Sequence, residues 1–479
     1  MTVRGLRLSL ACAAMGLAGL VMGLATPAAA MPDAKIDAQI RPAFGLLLQP
    51  PLRQAYKPGL RRQHRLDRDG DYDGDFRRKS RNLASITVDC GDPKGGDEPL
   101  AHALYDLANN GVLYIRSRGG VCHETLWIDH PVIIAGEGVP AFGPGNVGPA
   151  KIVPSDGDPC IHIEEGVKGV EIRDLVIEAN NAGRHACVEA LDADVALIRT
   201  SITYQGDASA IFVQGGSLIV RNSVINARTN DAAVLADGAQ IDMQQVRITA
   251  DTRGLDLTPA IGQSRLTQVG VLAQGVGLAG STGVTIRDQR SGAGEVQISN
   301  SVLRGWITGV YVDRGAKLDL VNSRILRARR GVLSDYGQVK VRQNAIVADE
   351  LGFYASGGRP QLDFNRFIDG GVGFERGVDP ITSPNYVYPV KPCGGRLPKG
   401  IYCRPQKEIP GGIFDESGFD NSGRYGWEVD GYERGYLRDG PPRPVSYIPP
   451  PPPRRHWWSS DDQGGSPLDD GSGQGNNPY

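Results

Sequence analysis

Residues 218–225 read LIVRNSVI, and close variants follow as VQISNSVL at 296–303, LDLVNSRI at 318–325 and VKVRQNAI at 339–346. Each copy alternates apolar and polar residues, as a β-strand does, and carries Ser or Asn at one fixed place. For most of the region the fixed place recurs about every 21–23 residues, a period that is typical of a solenoid. It falls at Asp174, Ser201, Ser223, Val246, Ser301, Ser323, Asn344 and Asn365.

The residues between the copies decide which solenoid this is. They contain a second apolar phrase, such as GVYV at 309–312 or GFYA at 352–355, with Gly, Asn and Asp at the turns. No helical pattern separates the strands, which disfavours a leucine-rich repeat, and the period is too long for a left-handed hexapeptide helix. We therefore predict an all-β fold, a single-stranded right-handed parallel β-helix with coils ~4.8 Å apart. The Ser/Asn column, if it faces inward, would form a hydrogen-bonded ladder.

One step in the repeat is much longer than the others, from Val246 to Ser301. We interpret it as one coil with two insertions, near 251–267 and 277–294. Insertions in solenoids gather on loops and often on the binding face.

The sequence outside the repeat divides into several parts. An N-terminal apolar run preceded by arginines and followed by AAA at 28–30 indicates a secretory signal peptide. The predicted divisions are a signal peptide at 1–30, a basic polar disordered arm at 31–84, the β-helix at 85–379, a C-terminal cap-like segment at 380–437 and a Pro/Gly-rich disordered tail at 438–479.

The charge and the apolar content of the sequence limit the kinds of partner that the protein is expected to have. The net charge is −2, so there is no overall basic field that would favour nucleic acid. Beyond the signal peptide no apolar run is long enough to span a bilayer, and we expect an exported protein, periplasmic or extracellular. The tail carries Trp457 and Trp458 after a polyproline run, and it could dock on an envelope protein or a cell-wall sugar.

Six cysteines remain after removal of the signal peptide, which suggests three disulfides in an oxidising compartment. Cys160 and Cys187 precede successive copies of the repeat by the same offset, so they should lie one above the other. Cys393 and Cys403 would close a small loop, which leaves Cys90 to pair with Cys122. A zinc site is disfavoured because no CxxC pair is present.

A calcium loop is the one metal site worth weighing. Residues 69–75 read DGDYDGD, so that Asp69, Asp71, Asp73 and Asp75 resemble the start of a calcium-binding loop. The twelfth position is Ser80, where such a loop needs a bidentate carboxylate. We therefore expect no metal and no other cofactor.

The start of the folded region resembles the pectate-lyase-like superfamily. Residues 99–109 have an amphipathic helical pattern, followed by GVLYI at 111–115 and PVIIAGE at 131–137. In that superfamily such a helix caps the end of the β-helix, and an uncovered end strand would recruit other chains. The resemblance covers roughly 90–380 and implies the fold; it does not specify an activity.

Charged residues that follow the Ser/Asn strands should align in successive coils beside a groove. As catalytic candidates we select Glu178, Arg184, His185 and Asp231, because acids, bases and cations of this kind can act on an acidic sugar. As substrate-binding candidates we select Tyr204, Arg228, Asp251, Arg253 and Trp306. The alternative is ordinary solvation of charged turns.

Two classes of function follow. The first is an exported protein that binds, and could process, an acidic polysaccharide as a lyase, hydrolase or epimerase. The second is a non-catalytic envelope or surface β-helix that binds glycan or protein partners. A paired or buried carboxylate in a groove beside the insertions would favour the enzyme, and a flat, evenly charged groove would favour the binding protein.

Overall fold

The computed structural model describes residues 83–90, 99–116, 121–137, 150–154, 157–180, 182–274, 280–288, 294–390 and 397–409. The predicted signal peptide, nearly all of the basic arm with its four candidate calcium ligands, and the tail with its two tryptophans lie outside the described residues. The described chain is a parallel β-solenoid of about 12 turns, as the repeat predicts.

Strands make up almost all of the solenoid. The helix α1 is Pro99–Asp106, and a 3₁₀ helix spans Gln406–Glu408. The strands are β1 Leu83–Asp89, β2 Leu107–Arg116, β3 Leu126–Ile128, β4 Val132–Glu137, β5 Lys151–Ile152, β6 Ile161–Ile163, β7 Val170–Arg173, β8 Val176–Asn180, β9 Val188–Leu191, β10 Asp194–Ile198, β11 Ser201–Gly206, β12 Ile211–Gln214, β13 Ser217–Thr229, β14 Ala232–Ala250, β15 Arg253–Pro259, β16 Gln263–Ala273, β17 Thr282–Ile286, β18 Glu295–Ser299, β19 Val302–Arg304, β20 Thr308–Val312, β21 Lys317–Val321, β22 Arg324–Ser334, β23 Gln338–Arg342, β24 Ala345–Ala355, β25 Gln361–Asp363, β26 Arg366–Phe374, β27 Ile381–Thr382, β28 Asn385–Pro389 and β29 Ile401–Cys403.

These strands form three parallel faces, because each pairs with the equivalent strand one coil away. Face A includes β7, β10, β18, β21 and β23; face B includes β8, β11, β19 and β28; face C includes β6, β9, β12, β15, β17 and β20. Longer strands such as β13 and β14 turn a corner and contribute to two or three faces. The connections between faces are named the AB, BC and CA turns below.

The predicted ladder is present inside the AB corner. The backbone N–H of Ser301 donates to Ser323 Oγ at 3.1 Å, and that of Ser323 donates to Asn344 Oδ1 at 2.8 Å. Asn344 Nδ2 donates to Asn365 Oδ1 at 3.0 Å, and Asn365 Nδ2 to Asn385 Oδ1 at 2.9 Å. All five side chains are buried, so the ladder satisfies polar groups that water cannot reach.

Two predicted members of the ladder were assigned one position away from the true column. Ser201 pairs with Val224, and it is Thr200 whose N–H donates to Ser223 Oγ. Asp174 lies in the turn itself, with φ of 58°. At both of these AB corners two polar residues stand side by side. The alternation of apolar and polar residues therefore could not show which position lies in the turn and which faces inward.

The long step in the repeat was also misassigned, since it holds two coils rather than one. Val246 aligns directly with Val269, and the segment near 251–267 forms regular strands β15 and β16. Of these two coils only the second is longer than usual. Val269 and Ser301 lie 32 residues apart, whereas Ser301 and Ser323 lie 22 residues apart. At the other end, β28 and β29 continue the parallel pairing past the predicted boundary at 379.

The predicted disulfide Cys160–Cys187 is confirmed, with a Cα–Cα distance of 4.6 Å between successive coils. Cys90–Cys122 is also confirmed, at 5.2 Å. Cys403 is disulfide-bonded, whereas Cys393 lies outside the described residues, so their pairing stays a prediction.

Small residues continue the column that Cys160 and Cys187 begin. Later coils place Ala210, Ala233, Gly254, Gly283, Gly309, Gly331 and Gly352 at the equivalent position. A Cβ on Gly309 would lie 2.6 Å from Ile325 Cγ2 and 2.7 Å from the carbonyl oxygen of Gly331. Face B core residues therefore pack directly against the backbone here, which leaves no room for a side chain.

The N-terminal helix is held by a buried carboxylate. Glu124 accepts hydrogen bonds from the N–H groups of Leu100 at 3.0 Å and Ala101 at 2.6 Å. These are first-turn donors that no helical carbonyl can satisfy. The helix ends at Asp106, earlier than predicted, because the buried Leu107 already pairs in the sheet opposite Leu83.

Replacing Asn344 with Leu should destabilise the protein by about 2–4 kcal/mol, because it leaves several buried backbone groups without their partner. Urea denaturation followed by circular dichroism measures this change. Asn230→Leu, at an exposed turn residue, is the control and should change stability by less than ~0.5 kcal/mol. Equal effects in the two variants would contradict the ladder's role.

Candidate functional site

The predicted catalytic residues lie in three different places on the solenoid. Arg184 and His185 lie in the BC turn before β9, and Asp231 lies in the BC turn two coils later. Glu178 lies in β8 on face B, where its Oε2 pairs with Lys151 Nζ at 2.6 Å. The structure thus brings His185 together with groups of its own coil and separates Glu178 from it.

His185 belongs to a cluster built around Glu189. Glu189 Oε1 lies 3.3 Å from His185 Nδ1, and its Oε2 lies 3.3 Å from His162 Nδ1. The N–H of Ala186 donates to Oε1 at 3.1 Å. Glu189 is 3% exposed and points outward from the middle of β9, so its carboxylate is enclosed by the turn that precedes the strand.

The electrostatics of this cluster favour a charged pair. Burial alone would raise the pKa of Glu189, but its hydrogen bonds to His162 and His185 outweigh burial and lower the pKa to about 2. The same hydrogen bond raises the pKa of His185 above its ordinary 6.5, and burial opposes this shift. The carboxylate is therefore ionised at neutral pH and stabilises the imidazolium.

The two histidines differ in their access to solvent. The side chain of His185 is 47% exposed, and its Nε2 has no hydrogen-bond partner among the described residues. His162 is buried beneath the exposed Trp127, with ring centroids 4.6 Å apart. A buried carboxylate thus fixes one ring nitrogen of an imidazole whose other nitrogen faces outward, which is the arrangement of a positioned acid or base.

Asp231 and Arg253 belong to a second cluster, centred on Asp256. Arg253 Nη2 pairs with Asp231 Oδ1 at 2.6 Å, and its Nη1 pairs with Asp256 Oδ2 at 2.7 Å. Arg287 forms a bidentate pair with Asp256, at 2.7 and 2.9 Å. Two guanidinium groups thus balance two carboxylates, and Asp256 itself is 3% exposed.

The other predicted binding residues fall into two groups. Tyr204 and Trp306 are buried: Tyr204 Oη donates to the carbonyl of His185 at 2.8 Å, and Trp306 Nε1 donates to that of Val271 at 2.9 Å. Both are core residues that support turns and cannot contact a ligand at the surface, a correction to their predicted role. Arg228 is exposed and Asp251 is partly exposed.

Sequence reasoning missed Glu189, His162, Asp256 and Arg287 as members of these clusters. Three of them share the outward position of face C, where β6 places His162, β9 Glu189 and β15 Asp256. In a strand otherwise apolar, a charge at the outward position is a signal that the sequence does carry. This signal can be recognised only once the register of face C shows which strand positions face outward.

The described residues contain neither a metal-binding cluster nor a membrane-spanning helix. No grouping of three or more His, Cys, Asp or Glu side chains there could hold a metal ion. No helix in that part of the chain is long and apolar enough to cross a bilayer.

The fold makes this chain a right-handed parallel β-helix protein with internal disulfides. No family model, no curated protein and no solved structure matches it. Its function therefore has to be argued from its own side chains.

Glu189→Gln should lower the pKa of His185 toward 6.5, because the amide cannot stabilise the imidazolium as the carboxylate does. Titration of the His185 ring protons by NMR measures the shift. An unchanged His185 pKa would contradict the pairing.

The same pair predicts how stability depends on pH. Glu189 stabilises the fold above its unfolded pKa near 4.5, and this contribution is lost as pH falls toward 2. His185 stabilises the fold below 6.5, and its contribution is lost as pH rises through its raised pKa. The stability advantage of wild type over Glu189→Gln should therefore be largest between about pH 4.5 and 6.5.

Asp256→Asn should destabilise the protein by about 3 kcal/mol, because Arg287 loses its bidentate carboxylate and Arg253 loses one of its two. Asp242→Asn is the matched control: Asp242 pairs with Arg221 at 3.0 Å, but both side chains are more than 40% exposed. That variant should lose less than ~1 kcal/mol. Equal shifts of the denaturant midpoint in Asp256→Asn and Asp242→Asn would contradict the larger contribution assigned to Asp256.

Proposed function

We propose that the chain is an exported β-helix protein that binds an acidic polysaccharide and removes a proton from its uronate rings. The observation that carries the proposal is the exposed imidazole of His185, fixed at Nδ1 by the buried Glu189. The exposed side chain of Arg184 is adjacent in sequence, and Arg228 is exposed in β13 on face B, two coils after the strand β8 that precedes His185. Export agrees with the two disulfides and rests also on the predicted signal peptide.

The chemistry follows from these groups. An arginine would neutralise the uronate carboxylate, which makes the proton on the adjacent ring carbon more acidic. The Nε2 atom of neutral His185 would accept this proton. In a lyase, the electron pair left on carbon forms a double bond while the bond to the leaving sugar oxygen breaks; that oxygen takes a proton from water, and His185 releases its proton to the solvent. In an epimerase, water supplies a proton to the opposite face of the same carbon, and His185 again releases its proton to the solvent.

Hydrolysis fits the cluster less well. A glycosidase needs two carboxyl groups flanking the scissile bond, one of them kept protonated as an acid. Glu189 has a pKa near 2 and both its oxygens are occupied by histidines and a backbone N–H, so it is neither protonated at neutral pH nor open to a sugar. The geometry of this cluster therefore supports proton abstraction by His185 better than hydrolysis.

A non-catalytic binding protein is the second candidate, and one observation favours it. The charges along the BC turns are largely paired, as in Asp231–Arg253 and the contacts of Glu350 with Arg329 and Arg330 at 2.5 and 3.3 Å. The buried Glu189 also lies coils away from the long coil before Ser301, where a binding loop was expected.

The full chain should therefore be incubated with polygalacturonate, alginate and glycosaminoglycans. Ultraviolet absorbance detects unsaturated uronate, and proton NMR detects epimerised residues. His185→Ala should abolish either product, since the base is lost, while His123→Ala at another exposed histidine should not. The rate should rise with pH through the raised pKa of His185, because only the neutral imidazole accepts a proton.

Binding without product in the wild type would favour the non-catalytic alternative. Product formation that survives His185→Ala would refute the assigned base and leave the substrate class intact.

A further inference from the structure

A column of amides runs along the outside of the AB turns, one residue before the ladder position in each coil. One residue in each AB turn adopts the left-handed conformation, and in successive coils it carries an amide side chain with φ between 46° and 58°. We name this column the amide stripe. Its members are Asn222, Gln245, Gln268, Asn300, Asn322 and Gln343.

The left-handed backbone conformation explains only in part why amide residues occupy these six positions. Asn tolerates the left-handed region because its short side chain can hydrogen-bond locally. Gln has no such advantage, yet Gln245, Gln268 and Gln343 occupy it in three coils. Gly would remove the strain altogether. What the six residues share is the amide group itself, which brings two N–H donors and one carbonyl acceptor to each coil.

The C-terminal end of the stripe lies in a groove. Besides Asn300, Asn322 and Gln343, its walls include Arg324, Arg366 and Phe364, and none of the carboxylates in the described part of the chain lines it. Phe364 takes the next left-handed position after Gln343 and is 57% exposed. Asn322 Nδ2 donates to Asn300 Oδ1 at 2.6 Å, so neighbouring amides are oriented along the solenoid axis.

We infer that this groove binds an extended acidic polysaccharide whose chain runs parallel to the solenoid axis. Amides offer donors and acceptors to sugar hydroxyls at the coil spacing of ~4.8 Å, similar to the length of one sugar ring. Guanidinium groups pair with uronate carboxylates in bidentate geometry. The exposed ring of Phe364 supplies an apolar surface for a sugar face.

The inference shares its substrate class with the proposed function but none of its residues. His185 lies in a BC turn and the groove lies at the AB turns of later coils. The groove would hold a long chain on the protein, whereas the His185 cluster would carry out the reaction. Binding and product formation can therefore be measured and lost separately.

The test is the affinity of the full chain for polygalacturonate and alginate, with neutral cello-oligosaccharides for comparison, by isothermal titration calorimetry. Arg366→Gln should weaken binding of the acidic polymers about tenfold, and Gln343→Leu about fivefold. Arg265→Gln, at an exposed arginine of face A outside the groove, should bind as the wild type does.

Phe364→Ala removes an exposed ring and should fold as the wild type does, so it carries the test if another variant does not fold. It should weaken binding as well. The inference is overturned if the wild type binds none of the acidic polymers, or if Arg366→Gln and Arg265→Gln bind equally. It is also overturned if sedimentation shows a wild-type dimer that Phe364→Ala dissociates, since the groove would then be an interface between copies.

Discussion

Every interior position of this solenoid is stacked on its own equivalent, and the rest of the structure depends on that constraint. The backbone of each coil pairs in parallel with the coils before and after it. A polar side chain that faces inward at a corner is out of reach of water and finds its partners in its own corner and in the coils before and after it. An apolar column such as Ile161, Val188 and Ile211 satisfies the stacking constraint by packing, and a polar column has to do so by hydrogen bonding.

Stacking explains why so much of the fold could be predicted from the sequence. The period of the repeat, the strand phrases and the inward Ser/Asn column all follow from one physical rule, and the equal offsets of Cys160 and Cys187 gave their pairing. The same rule explains the errors. Val246 and Val269 fill the ladder position with apolar residues, so the polar marker disappears there and two coils were read as one. Asp174 and Ser201 adjoin the column without belonging to it.

The functional cluster could be predicted only in part, because it depends on contacts that the repeat does not encode. His185 was found as an exposed turn residue, but its partner Glu189 faces outward from a strand that is otherwise apolar. Arg287 reaches Asp256 from 31 residues later, across the long coil. Such contacts require the register of face C and the reach of individual side chains. The period of the sequence repeat predicts neither the register nor the reach of a side chain.

The two carboxylates of face C show how one position can support either chemistry or stability. Glu189 and Asp256 occupy the same outward column, three coils apart, and each is buried beneath cations from the adjoining segments. Asp256 is held by Arg253 and Arg287, which stay protonated at any physiological pH, so this cluster cannot exchange protons. Glu189 is held by His162 and His185, and the exposed imidazole of His185 can gain and lose a proton, with its pKa raised by the hydrogen bond to Glu189. The identity of the cation, rather than the carboxylate, therefore decides which cluster can act as an acid or base.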